Sequence, residues 1–212
     1  MTVVALSAAY GAGGSQVGPA LAERLGVPFV DRAIPLAVAQ RLNVDLAAAE
    51  EHDEQVGGGF FKQLLSGFVG HDAGAPAPIP PELTFGEDFR RATEEVLLRQ
   101  ADTGEGVILG RAATIVLRGR SGVLRVRLDG PPEARAAQAS RLGGVSLEEA
   151  EEGRRRVDRA QAAYWTRFYG ADIEDPSHYH LVLDSTALEL DVCVELLTLA
   201  ARTLLQTSPP DG

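Results

Sequence analysis

The sequence predicts an α/β protein in which helices cover both faces of a parallel β-sheet. Short apolar runs rich in valine, isoleucine and leucine alternate along the chain with longer stretches whose apolar residues repeat at helical spacing. Strands that alternate with helices pair in parallel, because a helical crossover returns the chain to the same end of the sheet. In such folds a ligand lies beyond the carboxyl ends of the strands.

The composition is that of one globular domain. The 212 residues are 45% hydrophobic and 24% charged, which suffices for a core and argues against disorder. No internal repeat divides the chain, so we expect a single domain over residues 1–212. The net charge of −10 argues against binding to nucleic acid or to anionic membranes. The N-terminus has no basic leader, no apolar run is long enough to cross a bilayer, and Cys193 cannot form an internal disulfide, so we expect a cytoplasmic protein.

The first elements follow directly from the apolar pattern. Residues 2–6 form a predicted strand, residues 7–15 a glycine-rich turn, and residues 16–25 a helix that ends at Gly26. A second short strand is predicted over residues 27–31. Helices are predicted over residues 34–42 and from Asp45 to Glu51.

Residues 53–88 interrupt the alternation and are predicted to form a mobile insertion. Both flanks of this segment are rich in glycine or proline, whereas the part between Phe60 and Val69 repeats apolar residues as one face of a short helix. That helix either packs against the body of the protein, or serves as a flap over a substrate site or as a homodimer contact.

The alternation resumes after the insertion. Helices are predicted over residues 87–101, 112–117, 133–142, 146–168 and 188–205, and strands over residues 106–111, 122–129 and 180–183. The helix from Ser146 opens with a capping-box pattern. Cys193 lies among apolar residues of the last helix and is expected in the core. The four histidines are scattered and predict no metal site.

The turn after the first strand is the first candidate site. It holds Gly11, Gly13 and Gly14, and Gly18 follows in the helix. Backbone N–H groups of such a loop, together with the helix N-terminus, suit the binding of a phosphate. Read as a Walker A motif, however, the window has Ala8 in place of the first glycine and Gly14 in place of the lysine. A tight turn that needs positive φ is the alternative interpretation.

Several segments in order resemble the cytidylate kinase-like family of P-loop proteins. They are residues 10–26 (YGAGGSQVGPALAERLG), residues 28–32 (PFVDR), residues 107–111 (VILGR), residues 128–135 (LDGPPEAR), residues 146–170 with RVD and AYW, and residues 179–186 (YHLVLDST). The resemblance covers most of the chain except residues 53–88. It implies a three-layer P-loop NTPase-type fold with a five-stranded parallel sheet of order 2-3-1-4-5 and a helical lid over residues 143–175. It assigns the insertion to the region that binds the nucleoside monophosphate.

The implied chemistry is transfer of the ATP γ-phosphoryl group to CMP or dCMP, with Mg²⁺ as the cofactor. The nucleotide-binding residues that the resemblance implies lie in the glycine loop, after the second strand, in the lid and after the last strand: Gly11, Ala12, Gly13, Gly14, Ser15, Gln16, Asp31, Arg32, Arg155, Arg159, Asp184 and Ser185. Ser15 is also the predicted Mg²⁺ ligand. Asp184 could instead cap the following helix.

Arg111, Arg154 and Asp158 are the predicted catalytic residues. Arg111 follows a buried strand at the ligand edge, although a salt bridge with Asp31 or Asp129 is an alternative. Arg154 and Asp158 are four residues apart in the lid and share one helix face. Arginine suits a phosphate lid because its guanidinium binds phosphate oxygens in pairs and stays charged. The four nearby glutamates leave open that some lid arginines belong to a solvated, charge-balanced face.

Three positions depart from the family pattern. They are Gly14 at the lysine position, Thr114 where an acidic residue is usual, and Gln161 where an arginine follows Asp158. Lys62, the only lysine, lies in the insertion. Three functions therefore remain open: a nucleoside monophosphate kinase, a pseudokinase that binds nucleotide or a protein partner without phosphoryl transfer, and a kinase of another small molecule.

Overall fold

The computed structural model describes residues 2–30, 87–110 and 112–207. The helices predicted over residues 34–42 and 45–51 lie outside the described residues, as does the insertion up to residue 86, including the predicted helix from Phe60 to Val69. Asp31, Arg32 and Arg111 lie outside them as well.

The described residues contain the predicted elements in the predicted order. The strands are β1 (Thr2–Ala8), β2 (Phe29–Val30), β3 (Glu105–Leu109), β4 (Val123–Asp129) and β5 (Leu181–Asp184). The helices are α1 (Gly14–Leu25), α2 (Glu87–Asp102), α3 (Ala113–Val116), α4 (Pro132–Gly143), α5 (Leu147–Tyr169) and α6 (Leu190–Thr207). A single 3₁₀ turn at Pro176–His178, which the sequence analysis did not predict, precedes β5. Helix α1 begins two residues earlier than predicted because Gly13 caps it in a left-handed conformation.

The five strands form one parallel sheet of order β2-β3-β1-β4-β5. Strand β1 lies in the middle, with Val4 opposite Val107 of β3 and Leu124 of β4. This is the predicted α/β fold with the 2-3-1-4-5 order, and it brings the glycine-rich turn to the centre of the carboxyl edge of the sheet.

Alternate residues of the central strand face two different cores. Val4 and Leu6 pack with α1 and α6 on one face of the sheet. Val3 and Ala5 pack with Leu97 of α2 and with α3 on the other. This two-sided burial explains why β1 reads as a nearly continuous apolar run and not as an alternating one.

A third, aromatic cluster anchors the C-terminal half of α5. Tyr164 and Trp165 pack with Ile115, Ile173 and Tyr179, and all five side chains are buried. The other end of α5 carries the predicted capping box, in which Ser146 and Glu149 exchange hydrogen bonds. The predicted lid helix is therefore fixed to the body at its C-terminal end.

Candidate functional site

The turn between β1 and α1 adopts a conformation that requires glycine. Gly11 and Gly13 have φ angles of 79° and 74°, in the left-handed region. A Cβ atom at Gly11 would collide with the main-chain oxygen of Arg135, and one at Gly13 would lie 2.7 Å from the Leu190 side chain. Backbone conformation and close packing therefore both exclude larger residues here.

Buried side chains from distant elements hold the carbonyl groups of this turn. Gln161 Nε2 donates to the oxygen of Ala8 (3.4 Å), Arg135 NH1 to Tyr10 (2.9 Å), Gln138 Nε2 to Gly11 (2.9 Å) and Ser185 Oγ to Ala12 (2.7 Å). The four donor side chains belong to residues that are at most 8% exposed. The remaining two carbonyls, those of Ala9 and Gly13, accept from backbone N–H groups within the turn and the start of α1. Every carbonyl from residue 8 to residue 13 is thus hydrogen bonded inside the protein.

The N–H groups at the start of α1, unlike these carbonyls, have no hydrogen-bond partner within the described residues. No described residue accepts a hydrogen bond from the N–H group of Gly13, Gly14 or Ser15. These are the first donors of a helix, which have no partner within the helix and carry the positive end of its dipole. A loop whose carbonyls are occupied and whose N–H groups are available favours an anion.

The space for a side chain at Gly14, the position of the Walker lysine, is already filled. A Cβ atom at Gly14 would lie 2.5 Å from Cβ of Ala8 and 3.3 Å from Cδ1 of Leu109. The backbone at Gly14 is not left-handed, so sterics alone restrict this residue. Ala8 and Gly14, the two departures from the Walker pattern, are therefore structurally linked. The methyl group of Ala8 occupies the place where a side chain at position 14 would begin.

Arg135 connects the glycine-rich turn to the predicted lid. Its side chain is 7% exposed and lies between Asp129 and Asp158. NH1 and NH2 bond the two oxygens of Asp158 at 3.0 and 2.9 Å, and Nε donates to the main-chain oxygen of Gly130 at 3.0 Å. Since NH1 also holds Tyr10, one guanidinium fixes the turn, the end of β4 and helix α5 relative to one another.

Asp158 and Arg154, two predicted catalytic residues, share one helix face as expected. Arg154 NH1 lies 3.4 Å from Oδ2 of Asp158. Both oxygens of Asp158 thus contact guanidinium groups, which is the geometry of a positioning residue. Arg154 retains a buried Nε atom with no partner among the described residues, so part of its donor capacity is unused.

The other predicted lid arginines are more exposed. Arg155 forms a 3.5 Å pair with Glu151, and Arg159 Nε donates to the main-chain oxygen of Arg155. The glutamate-balanced interpretation fits Arg155. That Arg155 and Arg159 bind nucleotide stays a prediction.

The end of β5 and the residue after it, Asp184 and Ser185, stabilise the loops at the carboxyl edge of the sheet. Oδ1 of Asp184 accepts hydrogen bonds from the hydroxyl and backbone N–H of Thr186 and from the N–H of Ala187, and these bonds hold the pKa of Asp184 below its usual range. Ser185 is fully buried against the glycine-rich turn. Asp184 thus organises the turn that follows β5 and does not cap α6, which begins only at Leu190. Ser185 acts on the loop through the carbonyl of Ala12.

A second buried polar group borders the carboxyl edge on the face away from α1. Arg127, at 5% exposure, donates from Nε to Asp129 (2.7 Å), and its guanidinium lies 5.9 Å from the ring centre of Tyr179. Asp129 therefore bridges Arg127 and Arg135. Burial raises the pKa of Tyr179, whose hydroxyl donates to the oxygen of Ile173. Thr114, at the position of the expected acidic residue, is buried within this region.

Sequence reasoning missed two residues that hold the glycine-rich turn. Arg135 and Gln138 lie three residues apart on α4, so they project from one face toward consecutive carbonyls of the turn. The available signal was two polar residues on one face of an otherwise alanine-rich helix that directly follows a strand. Gln161, which the sequence analysis noted only as a departure from the family pattern, also donates a hydrogen bond to a carbonyl of the turn.

Metal-binding side chains are sparse in the part of the chain that the structure describes. No group of three or more His, Cys, Asp or Glu residues there could hold a metal ion. Ser15 and Gln16, at the start of α1, are exposed to solvent.

Within the described ranges of the chain, no helix is long and apolar enough to cross a membrane.

Comparisons with known proteins agree with this architecture. A crystal structure of an uncharacterized protein from Eubacterium ventriosum superposes with a TM-score of 0.67 at 16% identity, covering 95% of this chain and 98% of that one. Shikimate kinase from Bacteroides thetaiotaomicron superposes with a TM-score of 0.49 at 18% identity, over 97% and 98% of the two chains.

Sequence comparison identifies the family. A cytidylate kinase from Methanopyrus kandleri is 28% identical over 118 residues, which are 52% of this chain and 61% of that protein, so the match spans about three-fifths of the relative. The pattern that defines the cytidylate kinase-like family matches residues 3–187. With its five-stranded parallel sheet and glycine-rich turn at the central strand, this chain belongs to the cytidylate kinase-like family.

Proposed function

We propose that this protein transfers the γ-phosphoryl group of ATP to a nucleoside monophosphate, with CMP or dCMP as the acceptor. Membership of the cytidylate kinase-like family and the P-loop kinase fold support the class of reaction. The choice of cytidylate as acceptor follows the name of the Methanopyrus relative.

One observation carries the proposal: hydrogen bonds from buried side chains fix the carbonyl groups of the glycine-rich turn. Four buried side chains bond the carbonyls of residues 8, 10, 11 and 12, while the first N–H groups of α1 have no acceptor among the described residues. Phosphoryl transfer requires mainly positioning and neutralisation of charge. Donors that are already fixed contribute more than mobile ones, because they need no reorganisation during the reaction.

The side chains near this turn also fit Mg²⁺ bound with ATP. Mg²⁺ prefers oxygen ligands and commonly takes only one or two from protein, with phosphate oxygens and water completing its shell. The exposed hydroxyl of Ser15, in the first turn of α1, is suited to that role. The metal would neutralise charge on the transferred phosphate.

Arginines must then supply the positive charge that the missing lysine would give. Arg154 is anchored by Asp158 and has an unpartnered Nε among the described residues, so it combines a fixed position with donor capacity. Arg155 and Arg159 lie on the same helix and add charge to the lid. On the resemblance to the family, we also include Arg111 as a catalytic arginine that contacts nucleotide, and Asp31 and Arg32 as residues that bind the acceptor.

The decisive experiment follows label from [γ-³²P]ATP with Mg²⁺ into a panel of nucleoside monophosphates. Labelled CDP or dCDP is expected from the wild type, and Arg111→Ala and Arg154→Ala should each reduce the rate at least about tenfold, the loss of one charged hydrogen bond. Arg99→Ala is the matched control, because Arg99 is an exposed arginine of α2 paired only with Glu95 among the described residues. Product formation that is insensitive to Arg154 would contradict the assigned role.

A second function, nucleotide binding without transfer, is favoured by the contact between Gly14 and Ala8. The methyl group of Ala8 leaves no room for a side chain at position 14, where other P-loop enzymes carry the lysine that bridges the transferred phosphate. Saturable ATP binding by calorimetry with no product from any nucleotide would refute the kinase proposal and support a pseudokinase. Label transferred only to a different small molecule would support a kinase with another acceptor.

A further inference from the structure

Helix α6 has a second apolar face that points away from the core. Its inner face, which includes Cys193 and Leu197, is fully buried. On its outer face, Val192, Leu196 and Leu199 are 41%, 41% and 66% exposed. Together with Thr203 they form what we call the α6 stripe. A helix that is apolar on two sides normally packs on two sides.

The outer face of α6 holds several of the exposed apolar residues of the described part of the chain. Seven large apolar side chains there are exposed, and three of them, Val192, Leu196 and Leu199, lie together on this face of the helix. Such clustering at one place, in contrast to scattered single residues, indicates an interaction surface.

A groove lies beside the α6 stripe. It has a volume of about 440 Å³ and lies between α6 and β5, with Leu181, Leu183, Leu196, Leu199 and Ala200 in its lining. Strand β5 pairs only with β4 and is the last strand of the sheet, as far as the described residues extend. The groove is therefore an apolar depression at an open sheet edge, and Leu199 projects beside it.

The spacing of the α6 stripe fits a second helix. Val192, Leu196, Leu199 and Thr203 are separated by four, three and four residues, the spacing of a coiled-coil seam. A seam of this kind packs side chains of one helix into gaps of another, at an angle of about 20° between their axes. A helix is thus a better fit to this face than an extended peptide.

The charges beside the α6 stripe indicate which helix. Along one flank, Asp191 and Glu195 lie toward the N-terminus and Arg202 toward the C-terminus. Glu195 is 67% exposed, and its ion pair with Arg24 is long, at 3.9 Å. Such an exposed pair is weak, so the carboxylate of Glu195 remains largely available to a partner. Two copies of α6 in antiparallel orientation would set Glu195 opposite Arg202 of the partner subunit, twice by symmetry. A parallel pair would set like charges together.

We propose that this surface binds a second copy of the same chain through antiparallel α6 helices. A twofold axis midway along the stripe sets Leu196 against Leu199 of the partner subunit and Val192 against Thr203 of the partner subunit, since each pair of numbers has the same sum. Each Leu199 then enters the groove of the other copy. This is the self-complementary contact that a twofold dimer requires, and it is independent of the proposed kinase activity.

Sedimentation of the full chain across low to high micromolar concentrations tests the proposal. The mass should rise toward twice 22.5 kDa as concentration increases. Leu199→Glu should weaken the dimer at least about tenfold, because it buries an unpaired carboxylate. Leu147→Glu is the control, because Leu147 is 52% exposed at the start of α5, outside this surface, and should leave the dimer intact. A chain that is monomeric throughout, or a dimer that survives Leu199→Glu, would overturn the proposal.

Charge exchange tests the antiparallel orientation. Glu195→Arg alone and Arg202→Glu alone should each weaken the dimer, because each sets like charges across the axis. The double variant should recover wild-type affinity, since the pairs are restored with reversed sign. Both substituted positions are on the exposed surface, so circular dichroism should show the same fold in all three variants. A double variant weaker than both single variants would refute antiparallel pairing.

Discussion

A lysine introduced at position 14 should destabilise the protein unless Ala8 is changed with it. A Cβ at position 14 lies 2.5 Å from the Ala8 methyl, more than 1 Å closer than carbon atoms normally approach, and 3.3 Å from Leu109. Over-packing of this kind costs about 1–3 kcal/mol. For a chain of this size each kcal/mol lowers Tm by roughly 2–4 °C. Gly14→Lys should therefore melt several degrees below the wild type.

Removing the opposing methyl should rescue the fold. Ala8→Gly at the end of β1 should by itself cost about 0.5–1 kcal/mol through added backbone freedom. Combined with Gly14→Lys it removes the close contact, so the double variant should be more stable than the sum of the two changes by about 1–2 kcal/mol. If phosphoryl transfer is limited by the missing lysine, the double variant should also turn over faster than the wild type.

Urea unfolding of the four proteins in the cycle measures this coupling. Gly14→Ala adds the Cβ without the ammonium group and should lose stability to a similar degree, which isolates the steric effect. Gly143→Ala is the matched glycine control, since its Cβ would meet only Val145, at 4.0 Å, and it should be neutral or slightly stabilising. Full stability of Gly14→Ala, or additivity in the cycle, would refute the steric explanation of the lysine-free loop.

Three further outcomes follow from the site. Arg135→Met should cost about 3–5 kcal/mol in urea unfolding, because it leaves Asp158 and two carbonyls without their buried partner; exposed Arg155→Met should change stability by less than about 0.5 kcal/mol, and equal losses would contradict the assigned role of Arg135. Gln138→Leu should weaken ATP binding by calorimetry roughly 3- to 30-fold, since it frees one carbonyl of the turn; an unchanged Kd would show that this anchor does not shape the site. Burial and the neighbouring guanidinium of Arg125 lower the pKa of His180 from its usual 6.5. The unfolded chain therefore binds more protons at this residue below pH 6.5, so its contribution to stability is present above that pH and is lost as pH falls toward the folded pKa. His180→Gln should flatten the decline of Tm on acidification from neutral pH to about 5, and parallel curves for the two proteins would exclude His180 as its source.

Sequence periodicity predicted the secondary structure well where a segment's environment is uniform. The buried strand β1 and the amphipathic α1 follow from local patterns of apolar residues, and the capping box at Ser146 is a contact between residues three apart. Boundaries were less accurate: β2 was predicted to begin at residue 27 and begins at Phe29, while the predicted end at residue 31 lies outside the described residues. Pairing with β3 sets where that strand begins, and pairing is not a local property.

The sequence alone determined that this chain alternates strands and helices, with a glycine-rich turn at the N-terminus of a helix, because these features depend on neighbours a few residues apart. Only the tertiary structure decided how that turn is built. Its anchors, Gln161, Arg135, Gln138 and Ser185, lie more than 120 residues away from the carbonyls they bond. The tertiary structure also decided that the outer face of α6 is exposed, because this depends on the position of β5 at the sheet edge. Such hydrogen bonds and packing join segments that are far apart in the sequence, so no local pattern encodes them.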